Sequence, residues 1–214
     1  METIDLRKQM KDLWGPPTGK VVLVTVPSFQ YLTLEGVGNP NTSTSFQEAI
    51  QALYSAAFTL KFAAKAAGVA NWKVMPLEGL WWSPSGENLM DEPKGTVPLE
   101  MAWKALLMQP SVVTQDMLEQ AKAEIARKKK DVPALPKVRL ETWEEGLCVQ
   151  TMHIGPYAAE RATAAMMYDW MRANGYEPRG RHHEIYLSDP GRTAPGKLKT
   201  ILRMPIQRVT HGTT

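Results

Sequence analysis

Apolar positions along the chain recur at two spacings. Phe46, Ile50, Leu53, Tyr54, Ala57, Leu60 and Ala64 follow the steps of a single helix face. Ser45 and Glu48 form an S-x-x-E capping box at the start of that run, and Gly68 is a suitable stop. A second helix is predicted from Pro156, with Met166, Met167, Trp170 and Met171 turned inward and closure near Asn174-Gly175. Thr114 to Lys130 reads as a connecting helix. Shorter runs with strand character lie at Val21 to Leu34 and in "WKVMPLEGLWWSP", "MAWKALLMQP", "VRLETW", "LCVQTMHIG", "HHEIYLSDPG" and "KLKTILRMPI". "VRLETW" and "LCVQTMHIG" are read as separate strands around a turn at Glu145-Gly146.

The order of these elements repeats. "LEGVG" before the first helix matches "TMHIG" before the second, "LWWSPSG" matches "IYLSDPG", and "WKALLMQP" matches "LKTILRMP". The predicted fold class is therefore α+β, a duplicated strand–helix–strand–strand unit with pseudo-twofold symmetry and a central aromatic cleft. The predicted boundaries are a leader at 1–20, a domain at 21–206 and a tail at 207–214. Within the domain, one repeat covers about 21–112, the connecting helix and linker 113–136, and the second repeat 137–206.

Strand alternation puts His182, Glu184 and Tyr186 on one face and His183, Ile185 and Leu187 on the other. The apolar pair Ile185 and Leu187 is expected to face the helix, leaving Glu184 and Tyr186 on the bare side where the halves meet. The repeat alignment matches Tyr186 with Trp81 and Glu184 with Gly79. One half then supplies a carboxylate, and the other a gap and an indole. A carboxylate among rings is partly desolvated, which favours a base; it also suits a cationic ligand.

Composition narrows the function classes. The net charge of +3 is too mild to argue for nucleic acid. The run "RKKK" at Arg127 to Lys130 fits a solvated helix end better than a nucleic-acid patch. One cysteine, Cys148, excludes a disulfide framework and a Cys-based zinc set. No apolar run approaches the ~20 residues of a membrane span, and the charged N-terminus is no signal peptide, so a cytoplasmic protein is expected. Seven Trp and twelve Met suit a broad apolar pocket as well as a core.

Familiar motifs fail. "GPPTGK" has three residues where a phosphate loop needs four, and Val21 follows its lysine. "GVGNPN" lacks the third glycine of a dinucleotide site. Adjacent His182 and His183 point to opposite faces of a strand, so no metal site is expected, nor any cofactor. His153 and His183 read as structural.

Three motifs together, "QTMHIGPYAAE", "HHEIYLSDPGR" and "KLKTILRMPI", resemble the GyrI-like small-molecule-binding proteins over about Pro27 to Ile206. The resemblance implies a duplicated SHS2-type fold, with Glu184 at the family's glutamate in an aromatic cleft and Tyr157 of "GPY" at a pocket tyrosine. About 25 residues before the first strand are too few for a helix-turn-helix domain, so direct nucleic-acid binding is not expected. "PLEGLWW" and "MAWKALLMQP" are similar to the stand-alone branch, some members of which are cyclopropanoid cyclopropyl hydrolases that detoxify DNA-alkylating compounds. That resemblance implies Glu184, Tyr157 and Tyr186 as catalytic residues and Trp81, Trp82, Trp103 and Trp143 as candidate walls for a flat aromatic substrate. Trp82 lies on the opposite face of its strand from Trp81. The alternative is a multidrug-binding protein that sequesters lipophilic or cationic drugs, with Glu184 as counter-ion. A protein partner such as DNA gyrase has no specific support in the residues. Oligomeric state is left open.

Overall fold

The computed structural model describes residues 3–40, 42–86, 101–128 and 131–210. Strands are β1 Thr3–Ile4, β2 Val22–Gly38, β3 Asn71–Trp72, β4 Leu77–Trp82, β5 Met101–Gln109, β6 Arg139–Ile154, β7 Tyr176–Pro178, β8 His182–Tyr186 and β9 Lys199–Arg208. Helices are α1 Leu6–Gln9, α2 Lys11–Trp14, α3 Thr44–Ala66, α4 Gln115–Arg127 and α5 Glu160–Ala173. The fold is mixed α and β. Its main sheet runs β6-β2-β5-β4-β8-β9, all antiparallel, and β6 also pairs with β9. That last pairing closes the sheet into a barrel and removes its open edges.

Closure gives the sheet two apolar faces. Val26, Tyr31, Leu80, Leu106, Met108, Cys148, Ile185 and Ile201 form the inner cluster. On the outer face α3 and α4 cover Leu34, Trp81, Trp103, Ala105 and Leu107, while α5 covers Val149, Leu202 and Met204. Directly paired residues share a face. Glu184 pairs with Gly79 and Leu202, and Tyr186 with Thr200, so Glu184 and Tyr186 lie on the helix-bearing outer face. This reverses the expected sidedness. Ile185 is apolar because it fills the barrel, and alternation cannot distinguish a barrel interior from a helix-covered face.

Local rules account for most elements. Thr114 caps α4 by accepting a hydrogen bond from the Met117 amide at 3.3 Å. In α3, Phe46, Leu53, Ala57, Leu60 and Ala64 are buried as their spacing requires, but the helix begins at Thr44 and its N-cap Ser43 makes no side-chain cap bond. In α5, Met167 and Met171 are buried, whereas Met166 and Trp170 are only half-buried. "VRLETW" and "LCVQTMHIG" form one strand rather than a hairpin. Gly146, at φ +70°, bends it without ending it, a conformation that glycine adopts at little cost. Of the basic run, Arg127 and Lys128 pair with Glu124 at 2.8 and 3.0 Å, as a solvated helix end would; Lys129 and Lys130 lie outside the described residues.

Residues of the predicted leader enter the inner core. Leu13 and Trp14 are buried there, and the carbonyls of Asp12 and Leu13 accept hydrogen bonds from Gln150 and Arg203 at 2.7 and 2.9 Å. No helix among the described residues is long and apolar enough to cross a membrane.

Candidate functional site

β8 carries titratable side chains on both of its faces. On the outer face, the Trp81 indole N–H donates to the Tyr186 hydroxyl at 3.0 Å, and that hydroxyl donates to Glu184 Oε2 at 2.8 Å. His182 Nε2 stands 3.5 Å from Glu184 Oε1. Tyr157, in the single turn before α5, meets the Tyr186 ring edge-on with centroids 5.6 Å apart. Glu160 opens α5; it is buried, and its Oε1 has no hydrogen-bond partner.

Gly79 makes the indole placement possible. A Cβ there would stand 2.7 Å from Trp81 Nε1 and 3.0 Å from Cε2. Glycine at the position paired with Glu184 therefore lets the indole fold back toward Tyr186.

Burial sets the electrostatics. It raises the Glu160 carboxyl, the charge of Glu184 raises it further, and the Thr200 hydroxyl opposes them, leaving Glu160 at about 9. Tyr186 is pushed well above the usual phenol value by burial and then by Glu184 and Glu160. Tyr157 moves up for the same reasons, less strongly. Both phenols therefore stay protonated at neutral pH and can donate hydrogen bonds. Cys148 is driven up by burial, so it is an inert core thiol rather than a nucleophile.

The inner face of β8 holds a different constellation. His183 Nδ1 meets Glu145 Oε1 at 2.9 Å, and its Nε2 stands 3.0 Å from Glu78 Oε2 in an ion-pair contact that lacks hydrogen-bond alignment. Arg203 donates to Glu145 at 2.9 Å, to Gln150 at 3.1 Å and to the Leu13 carbonyl. Burial pulls His183 down, but Glu145 and then Glu78 outweigh it and hold the imidazole at about 9. Burial pushes Glu145 up, but His183 and Arg203 hold it down at about 2.

The family model for the GyrI-like small molecule binding domain matches residues 113–207. A solved structure of a conserved protein from Listeria innocua is 39% identical, with TM-score 0.84, over 96% of this chain and 100% of that one. This chain is a GyrI-like protein. A hydrolase from Listeria innocua is similar to it at 36% identity and TM-score 0.81, again over 96% of this chain and 100% of that one. The C-terminal domain of EcmrR shares the fold at 12% identity and TM-score 0.53, covering 89% of the GyrI-like chain and 98% of that domain. No curated protein sequence matches.

The GyrI-like protein brings Glu184, Tyr186, Tyr157 and Trp81 together. It does not bring the other tryptophans to them. Trp103 is buried under α3, edge-on to Phe46 at 5.0 Å. Trp82 packs with the inner cluster, with the Arg181 guanidinium 5.1 Å from its ring. Trp143 also turns inward, 5.8 Å from His183. His153 is structural, bound to Thr163 at 2.9 Å and near the Pro156 carbonyl at 3.3 Å. Among the described residues, surface grooves of about 410 and 430 Å³ lie along the N-terminal segment, away from Glu184. Sequence reasoning missed Glu160 and Thr200. The signal for Glu160 was present in "GPYAAE", which places it three residues after Tyr157 at a helix start.

Proposed function

We propose that the outer-face site at Glu184 binds a flat aromatic small molecule and opens an electrophilic cyclopropane in it by hydrolysis, a detoxifying reaction like that of the stand-alone cyclopropanoid cyclopropyl hydrolases. The carrying observation is the relay from Trp81 to Tyr186 to Glu184. Glu184 takes a proton from water as the water oxygen attacks the least hindered ring carbon. The broken C–C bond's electron pair moves to the conjugated carbonyl oxygen, where a phenol such as Tyr157 can donate. Tyr157 is 38% exposed and suits contact with an arriving ligand. General-base help of ~10²–10⁴-fold fits such a site. Likeness to the Listeria innocua hydrolase supports the enzymatic reading. Of the proposed aromatic walls, the geometry favours Trp81 over Trp82, Trp103 and Trp143.

The duplicated SHS2-type architecture is part of this proposal. Its support is the matching order of β2-α3-β4-β5 and β6-α5-β8-β9, and the ring in which β4 meets β8 and β2 meets β6. Gly79 and Glu184, aligned by the repeat, are direct partners across the β4–β8 pairing. The reading takes the protein as cytoplasmic, acting on a small molecule and not on nucleic acid.

Mass spectrometry of a duocarmycin-like cyclopropane compound tests the proposal. Wild type should form, over many turnovers, a product heavier by one water, and Glu184→Gln should not. Tight binding without product, read by tryptophan quenching, would instead mean sequestration, with Glu184 as counter-ion.

A further inference from the structure

One of the grooves along the N-terminal segment, about 410 Å³ in volume, is lined by Asp5, Arg7, Lys8, Lys11, Trp14 and Lys73. Its sides come from distant parts of the chain. β1 pairs in parallel with β3, and the Lys73 amide donates to the Ile4 carbonyl at 3.1 Å, which sets Lys73 across from Asp5. The carboxylate of Asp5 is already engaged on both oxygens. One meets Lys73 Nζ at 2.7 Å, and the other accepts from the Lys8 amide at 3.3 Å. Arg7, Lys8 and Lys11 are exposed and make no ion pair among the described residues.

The mild net charge of the chain hides this concentration. The groove sets four cations against one carboxylate, a net +3. The whole chain has 25 Lys and Arg against 22 Asp and Glu, also +3. Side chains outside the groove therefore balance, and the excess positive charge is gathered at one concave place. Trp14 adds a second, independent feature. It is 5% exposed, and its indole N–H has no hydrogen-bond partner. A buried donor left without an acceptor costs ~1–3 kcal/mol, which an anionic oxygen would relieve.

We propose that this groove binds a soluble phosphorylated compound carrying two or more phosphoryl groups. Three unpaired cations call for a ligand with several charges, which a single carboxylate does not supply. The Arg7 fork suits two oxygens of one phosphoryl group, and lysines act as point charges on others. The volume lies within the range of small-molecule sites, and a concave surface suits a compact ligand better than a flat membrane. The groove is apart from Glu184, so the proposal does not depend on the hydrolytic reading.

Isothermal titration calorimetry of the full chain with sodium pyrophosphate, at constant ionic strength, tests the site. Wild type should bind saturably. Combined Arg7→Gln, Lys8→Gln and Lys11→Gln should weaken binding at least ~tenfold. Combined Lys137→Gln, Arg139→Gln and Lys197→Gln removes the same charge from exposed residues outside the groove, and should leave affinity within ~twofold because screening isolates them. No saturable binding by wild type, or equal losses in the two triple variants, overturns the site. Sedimentation of wild type with phosphatidylglycerol vesicles, without binding of pyrophosphate, would assign the groove to a membrane surface and overturn the soluble ligand.

Discussion

Replacing Gly79 by alanine tests whether the site depends on the close approach of Trp81. The added methyl would stand 2.7 Å from Nε1 and 3.0 Å from Cε2 of an indole that is 3% exposed and packed against Phe46 at 5.2 Å. The indole has no solvent to swing into, so it must move off its bond to Tyr186. Overpacking of this kind costs about 1–3 kcal/mol, and a buried indole N–H left without its acceptor about 1–3 more, so a loss of ~2–6 kcal/mol is expected. Equilibrium urea unfolding followed by tryptophan fluorescence reads it. Gly196→Ala is the control, since a methyl there meets nothing within 4 Å. In a Trp81→Phe background the extra cost of Gly79→Ala should shrink, because the smaller ring leaves room. A Gly79→Ala variant within ~0.5 kcal/mol of wild type, with unaltered ligand quenching, would refute the reasoning.

Arg203→Met should destabilise by ~3–5 kcal/mol, because it strips the buried Glu145 of its guanidinium partner; adding Glu145→Gln should recover part of that loss in the same urea assay. Stability should fall as pH rises from ~4.5 toward 9. Glu160 and His183 both have folded values raised to about 9, so each binds more protons folded than unfolded, and each contribution is lost as pH rises through its folded value. Between about pH 4.5 and 6.5 only Glu160 of these two contributes, so Glu160→Gln should flatten that part of the curve. Tyr186→Phe should leave Glu184 without its hydroxyl donor and slow turnover of a cyclopropane substrate at least tenfold; unchanged turnover would remove Tyr186 from the mechanism.

The sequence made the helices legible because each has one covered face and hence a 3.6-residue period. β8 was legible as a strand, and the motif around it singled out Glu184. Its sidedness was not, because Ile185 and Leu187 would be apolar whether they met a helix or filled a barrel, and only the β6–β9 pairing decides. Trp82 and Trp143, the other candidate walls, pack against the inner cluster rather than beside Glu184, and the alternation of their strands did not say which face would be the barrel interior. Glu160 escaped notice because Glu184, whose charge raises its carboxyl, is 24 residues away in sequence, and only the packing of α5 against β6 and β9 sets that helix beside the site. The Glu145-Gly146 dipeptide looked like a hairpin turn, since a left-handed glycine serves a bend within a strand as well as a reversal.

His183 and Glu184 are neighbours in sequence that answer to different surroundings. The imidazole is fully buried between Glu78 and Glu145, and Arg203, through Leu13, ties that cluster to the N-terminal segment. A slip of β8 by one residue would drive Glu184 into the barrel and pull His183 out of its carboxylates, so the interior acts as a register lock on the site. Under the proposed function, aromatic side chains of the outer face can differ with the ligand while the glutamate's position is held from behind. The proposed ligand contacts and the support that fixes the acid are separable in this architecture because they are written on opposite sides of one five-residue strand.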